Sequence, residues 1–323
     1  MTVFSETAQQ AAQRGSFFIV FNVRSGSGDA DEEIQTIRRV LEAGGRSFEF
    51  FQCNAQESVE VMARRAVALA KARQGVVVAA GGDGTINAVA NAVMGSGCPF
   101  GVLPQGTFNY FGREHAIAQD TRKAALTLLQ AHLSPVQAGR VNGRVFLVNA
   151  SLGLYPQILE DREAWKNQLG RSRFVAFLSG IASLLRSRHQ LRLRIESDGH
   201  TVLLRTPTLF VANNRLQLAQ TGIHAQQIDA LAHGQLAGIA VRTIGTLALF
   251  ALLIRGLLGR LGDADNIQSF SFRRLTVMPK GMRRIKVATD GEIVWMQTPL
   301  VFEVAAEPLL LLVPASADLA AVE

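Results

Sequence analysis

The chain has 323 residues, 48% of them hydrophobic and 18% charged, with a formal net charge of +7. That balance describes a globular protein and excludes a disordered one, and the length allows two domains with sizeable cores. Two cysteines, Cys53 and Cys98, make neither a disulfide framework nor a zinc pattern, and they fit a reducing compartment.

Residues 1–15 are polar and are expected to form a flexible N-terminus, not a signal peptide. From residue 16 the pattern alternates. Phe17, Phe18, Ile19, Val20 and Phe21 predict a buried strand, followed by the Gly/Ser-rich turn Arg24-Ser25-Gly26-Ser27-Gly28. Residues 31–42 predict a helix with Ile34, Ile37, Val40 and Leu41 on one face. A strand over 47–51, a helix over 58–72 and a strand over 75–80 follow. This β-α-β-α-β-α order argues a parallel sheet in an α/β layer, with ligands outside the carboxyl ends of its strands.

The stretch 75–87 carries the strongest local signal. Val76, Val77 and Val78 suit a strand buried on both faces, and Gly81, Gly82 and Gly84 follow at once. Glycines there permit positive φ and close approach of a ligand. A helix over 85–94 places backbone N–H groups where anions, above all phosphate, bind. Asp83 is the odd residue in that cradle. A carboxylate beside phosphates calls for a bridging divalent cation such as Mg²⁺; an Asx-turn that only shapes the loop is the alternative.

A strand over 99–103 leads into the loop Leu103-Pro104-Gln105-Gly106-Thr107-Phe108-Asn109-Tyr110-Phe111-Gly112-Arg113-Glu114, and a helix is expected over 121–133. Beyond Gly139 the texture changes. Strands are expected over 145–150, 191–196, 201–205, 208–212, 236–242, 269–272, 274–278 and 285–289, a spacing that suggests an antiparallel sandwich. Helical insertions are expected over 156–186 and 246–261, and residues 309–313 as a final docking strand. The apolar stretch 246–258, interrupted by Arg255, is shorter than the roughly 20 residues that span a bilayer. Trp165 and Trp295 are expected in a core or interface. Lys71, Lys123, Lys166, Lys280 and Lys286 are the only lysines, so the basic charge is mostly arginine. Arginine suits phosphate and anionic headgroups, although genome composition gives the same bias.

Three motifs now stand in order, 22–28, 81–87 and 103–113, with Asp290-Gly291-Glu292 near the end. Together they resemble the diacylglycerol kinase catalytic-domain family, in particular bacterial lipid kinases related to sphingosine and ceramide kinases. The Gly-Gly-Asp-Gly-Thr loop alone is shared with NAD kinases and some phosphofructokinases; Leu-Pro-Gln-Gly-Thr-Phe-Asn is more specific to the lipid-kinase branch. The resemblance implies a flexible segment 1–15, an α/β nucleotide-binding domain over 16–139, a β-sandwich domain over 140–308 and a docked tail over 309–323. It places the active site in the cleft between the domains. It also implies ATP and Mg²⁺ as cofactors and a lipid hydroxyl, of diacylglycerol or a related lipid, as acceptor.

On that resemblance Asn22, Ser25 and Gly26 line the nucleotide pocket. Gly81, Gly82, Asp83, Gly84, Thr85 and Asn87 cradle the phosphates, with Asp83 serving Mg²⁺–ATP and Thr107 near the phosphates. Arg113 faces the transferred group, and Asp290 and Glu292 form the acidic motif, whose glutamate is the base. Read locally, Asp290-Gly291 is equally a turn between strands and Arg113-Glu114 a solvated helix pair. Across the single residue Gly291, an extended chain puts both carboxylates on one face, where each raises the other's pKa.

Two departures from the family's pattern stand out. Tyr110 occupies a position where many members carry an aspartate, and residues 231–237 lack the carboxylates that would hold a structural Mg²⁺ in the sandwich. No such second metal is expected. A cytoplasmic protein is expected, with the helix at 247–261 in peripheral contact with an anionic inner membrane face or buried as a core helix. No nucleic-acid partner is expected. A kinase of a soluble hydroxyl such as NAD, and a lipid- or nucleotide-binding relative without catalysis, are the alternatives.

Overall fold

The computed structural model describes residues 5–23, 30–53, 57–154, 156, 190–197, 200–222, 225–241 and 267–315. The chain forms two units, Met1–Ala138 with Ala305–Glu323, and Gly139–Val304. The insertions expected over 156–186 and 246–261 and the turn holding Ser25 and Gly26 lie outside the described residues, apart from residue 156.

The first unit alternates strands and helices: α1 (Glu6–Arg14), β1 (Phe17–Asn22), α2 (Ala30–Ala43), β2 (Phe48–Cys53), α3 (Val59–Ala72), β3 (Val76–Gly81), α4 (Asp83–Val93) and β4 (Phe100–Pro104). Then come α5 (Tyr110–Glu114), α6 (Thr121–Gln130) and β5 (His132–Val136), and the C-terminal strand β18 (Leu309–Val313) returns to this unit. The sheet order is β2-β1-β3-β4-β18-β5. Strands β2, β1, β3, β4 and β18 run parallel, whereas β5 pairs antiparallel with β18. Every residue of β3 is buried, as a valine run between two helical layers requires. Helix α3 buries Met62, Ala63, Ala66, Val67 and Ala70, a helical stripe that packs on α4 and β1.

The sequence placed a flexible segment where α1 forms. Ser5 caps it by accepting a hydrogen bond from the Ala8 N–H, and Ala8, Ala11 and Ala12 are buried. At its other end the Arg46 guanidinium donates to the carbonyls of Ala12, Gln13 and Gly15 and lies 4.2 Å from the Phe17 ring centroid. A cation on the last carbonyls of a helix stabilises it, and here it comes from a residue remote in sequence. Helix α6 also stops short of the expected residue 133. Residues 132–136 form an edge strand, a position that tolerates Pro135.

The second unit contains two antiparallel sheets. One has the order β10-β9-β14-β17-β6-β7, built from β6 (Gly139–Val141), β7 (Arg144–Phe146), β9 (Leu191–Ser197), β10 (His200–Thr206), β14 (Arg274–Pro279) and β17 (Leu300–Val304). The other is β13-β12-β11-β8-β15-β16, from β8 (Asn149–Gly153), β11 (Thr208–Ala212), β12 (Leu236–Val241), β13 (Ile267–Phe272), β15 (Arg284–Thr289) and β16 (Glu292–Gln297). Inward residues of both sheets, among them Phe146, Leu193, Val211, Leu236, Val277, Val287 and Phe302, share one core. Two helices that the alternation did not predict, α7 (Arg215–Thr221) and α8 (Ala225–Ala232), supply Leu218 and Leu231 to a second cluster with Ala212, Ala237 and Ile239. Trp295 is 57% exposed, not in the core, with Arg284 and Lys286 near its ring. The strand expected over 145–150 is broken at Leu147 and Val148, for a reason that lies in the Asp290 turn.

Candidate functional site

In the first unit, β3 ends and α4 begins within two residues. Glycines were expected here for positive φ. Gly82 has φ −80° instead, and its ψ is extended. Close packing is a requirement that the structure does show. A Cβ on Gly81 would lie 2.6 Å from Thr85 Cβ, and one on Gly106 would lie 2.8 Å from Gly82 Cα. The two motif loops therefore touch backbone to backbone. Asn22 Nδ2 donates to Thr85 Oγ1 at 2.9 Å, which ties the end of β1 to the first turn of α4. Thr85 and Asn87 are buried, and Asn91 Nδ2 donates to Asn87 Oδ1.

The helix begins at Asp83, earlier than expected, so Asp83 is its first-turn acid and Gly84 lies inside it. The Asp83 carboxylate faces the backbone N–H groups of Asn109, Tyr110 and Phe111, at the start of α5. Burial nevertheless dominates and raises its pKa, with those three N–H groups acting in the opposite direction. Its Oδ1 is buried and has no hydrogen-bond partner, and neither polar atom of the nearby buried Gln105 side chain has one.

Asn109 shapes this loop, and the sequence reading gave it no role. It is buried and left-handed, with φ 48°. Its Oδ1 accepts from the Gly106 N–H at 2.9 Å, and its Nδ2 donates to Gly106 O and to Gln119 Oε1. Asparagine is one of the few non-glycine residues that adopt this conformation readily. The signal was the polar residue closing the Gly-Thr-Phe turn. Thr107 and Arg113 are exposed on either side of Asn109. Phe108, 52% exposed, stacks on Tyr110 with ring centroids 5.8 Å apart.

In the second unit, Asp290 and Gly291 are the two central residues of the β15–β16 hairpin, with φ of 47° and 90°, and Thr289 pairs with Glu292. This is a primed turn, which explains the Asp-Gly pair. The extended geometry expected to put both carboxylates on one face does not exist. Asp290 Oδ2 accepts from the Leu147 N–H at 2.7 Å, and Oδ1 accepts from Val148 and Asn149 at 2.9 and 2.8 Å. Those amides are turned to the carboxylate, and this interrupts the strand expected there. Glu292 has a different partner. Arg144 Nη2 donates to its Oε2 at 2.6 Å, and Arg144 Nε donates to Thr289 Oγ1 at 3.0 Å. Arg144 lies 148 positions away, and no local sequence pattern pointed to it. Among the described residues no group of three or more His, Cys, Asp or Glu is placed to hold a metal ion, and no helix is long and apolar enough to cross a membrane.

Residues 16–141 match the family model of the diacylglycerol kinase catalytic domain. A diacylglycerol kinase of Staphylococcus aureus is 30% identical over 185 residues, which cover 56% of this chain and 57% of that protein. An uncharacterised protein of Synechocystis is 24% identical over 288 residues, 85% of this chain and 65% of that protein. The chain thus spans less than two thirds of these curated relatives. A crystal structure described as a diacylglycerol kinase from Bacillus anthracis shares the fold, with a TM-score of 0.71 at 19% identity, over 94% of this chain and 98% of that one.

Proposed function

Because residues 16–141 match the family model of the diacylglycerol kinase catalytic domain, we propose that the chain is an ATP- and Mg²⁺-dependent lipid kinase. It transfers the γ-phosphoryl group to a hydroxyl of diacylglycerol or a related lipid. The observation that carries this reading is the buried, unpartnered Oδ1 of Asp83 beside the Gly81–Gly82 turn. A buried carboxylate oxygen without a donor is costly unless a ligand completes it.

The donor set fits Mg²⁺ held together with a nucleotide: a hard carboxylate oxygen in the first turn of α4, beside the Gly81–Gly82 turn. When bound, the cation neutralises charge on the phosphate oxygens. The chain's own residues do the rest. Gly81, Gly82 and Gly84 admit the phosphates close to the backbone, and Asn22 holds Thr85 in the cradle. Ser25 and Gly26 are assigned to the nucleotide by family motif alone. Thr107 and Arg113, both exposed, offer a hydroxyl and a cation to the phosphoryl group. Glu292 is the proposed base, held by Arg144, and Asp290 positions it by fixing the hairpin. Cytoplasmic location and contact with an anionic membrane complete the reading, although the helix at 247–261 expected to make that contact lies outside the described residues.

The test is a radiolabelled ATP assay on total lipid extract, with identification of the product. A labelled phospholipid that disappears with Asp83→Asn supports the reading; labelling of a water-soluble product alone overturns it. Tyr110, stacked on Phe108 where many relatives carry an acid, favours a second reading: a nucleotide-binding relative without turnover. Nucleotide binding with no labelled product would establish that alternative.

A further inference from the structure

We propose that the groove between α2 and α6 binds a single-chain anionic amphiphile, its head on Arg39 and Arg122 and its tail along Val40, Leu126 and Leu129. The two helices pack on each other in the first unit. Helix α2 leads from β1 to β2, which run parallel, so it returns against them. Helix α6 returns in the same sense. Just before it begins, Gln119 accepts from Asn109 beyond the end of β4. Further along, Leu128 lies over Gly101 near the start of that strand. The helices therefore lie side by side in one direction, and where they end a Cβ on Gly44 would come within 2.5 Å of Leu129 Cδ1.

The groove has a volume of about 590 Å³, within the roughly 300–1,000 Å³ of small-molecule sites. Its lining changes character along the helices. Thr36, Arg39 and Arg122 stand on the N-terminal side, and Ala43, Gly44 and Leu129 on the C-terminal side. Residues 36 and 44 are about 12 Å apart along the helix axis. Arg39 is directed back to the polar side: its Nε donates to Gln35 O and its Nη2 to Thr36 Oγ1. No carboxylate lines the groove. Glu42 lies by Arg38 at 4.0 Å, and Asp120 Oδ1 accepts from the Lys123 N–H. Arg39 and Arg122 are exposed, and among the described residues neither meets a carboxylate. Leu126, one turn beyond Arg122, is 42% exposed. Two guanidinium groups without an internal counter-charge call for an anion, and the apolar side calls for a hydrocarbon chain. A free anion satisfies only the first, and an uncharged chain only the second. Charge complementarity therefore selects an amphiphile headed by a carboxylate or a phosphate.

The test needs no turnover, so it is independent of the kinase reading. The full chain, without nucleotide, is titrated by calorimetry with decanoate and with decyl phosphate below their micelle concentrations. Decanol, butyrate and inorganic phosphate are titrated in parallel. Decanoate or decyl phosphate should bind saturably, and the tighter of the two identifies the head. The three partial ligands should bind at least about tenfold more weakly. Arg39→Gln with Arg122→Gln, and separately Leu126→Ser, should each weaken binding by about tenfold at unchanged melting temperature. Arg64→Gln with Lys71→Gln, exposed on α3, should leave it unchanged. Absence of saturable binding, decanol binding as tightly as decanoate, full binding by the groove variants, or an equal loss in the α3 control overturns the proposal. So do groove variants that change the oligomeric state without losing the ligand, since the groove would then be a contact between copies.

Discussion

Asp83 and Asp290 invite comparison. Each follows a strand, and each turns its carboxylate toward backbone N–H groups of three consecutive residues, 109–111 and 147–149. They differ in what remains. Both oxygens of Asp290 are engaged, whereas Asp83 keeps a buried oxygen with no donor. A carboxylate completed by its own backbone serves the fold; one left incomplete is poised for a ligand. Two acids with similar surroundings thus divide into a staple and the proposed ligand site.

Breaking the incomplete acid should have the largest effect. Asp83→Asn should lower turnover about 1000-fold, about 4 kcal/mol, with the far-UV spectrum unchanged; lipid phosphorylation at the wild-type rate would remove Asp83 from the site. Glu292→Gln should lower turnover about 100-fold with little change in nucleotide affinity, because the amide keeps the shape but takes no proton. Normal turnover by this variant would place the base elsewhere.

For the completed acid the expected loss is in stability. Asp290→Asn turns an amide NH₂ toward backbone donors and should cost about 2–3 kcal/mol, a fall of about 5 °C or more in melting temperature. A variant that melts like wild type would show that the three bonds are not what holds the hairpin. A smaller effect sharpens the contrast. Burial raises the Asp83 pKa above its unfolded value. The stability of its protonated form is therefore complete below the unfolded pKa and is lost as pH rises through the raised folded value. Without nucleotide, Asp83→Asn should melt above wild type at neutral pH, and the gap should close in acid. A gap independent of pH would mean that the carboxylate is not destabilised by burial. The smallest expected effect is none: chelator without nucleotide should leave the melting temperature unchanged, since a metal bound only to the native state would raise it. A clear drop would reveal a structural metal.

Much of this division was legible in the residues. Apolar runs such as Val76 to Ala80 announced buried strands because a strand between two layers has no polar face. The loops that hold the site were legible as motifs but not as geometry. Gly81 was read for its φ and for the approach of a ligand, and its packing contact with Thr85 left no mark in the sequence. Asp290 and Glu292 were read both as extended neighbours and as a turn between strands, and the turn is what forms. Arg144 and Arg46 escaped notice because their partners are remote in sequence, and no periodicity reports a long-range contact. Helix α1 escaped because its apolar face is alanine, too small to mark an amphipathic pattern.

Strand β18 bears on how the protein is made. A ribosome delivers β1 to β5 first, yet β18, which pairs with both β4 and β5, emerges only after the whole second unit. Until residues 309–313 arrive, β4 keeps an open edge and β5 has no neighbour in the sheet. An open edge of unpaired backbone groups is a template for other chains. The first unit is therefore the first begun and the last finished, and it stays exposed to mispairing during the synthesis of the segment between. A nascent chain built this way has reason to need a chaperone, and a fragment ending at residue 141 would contain the motifs at 22–28, 81–87 and 103–113 but lack the strand that closes the sheet.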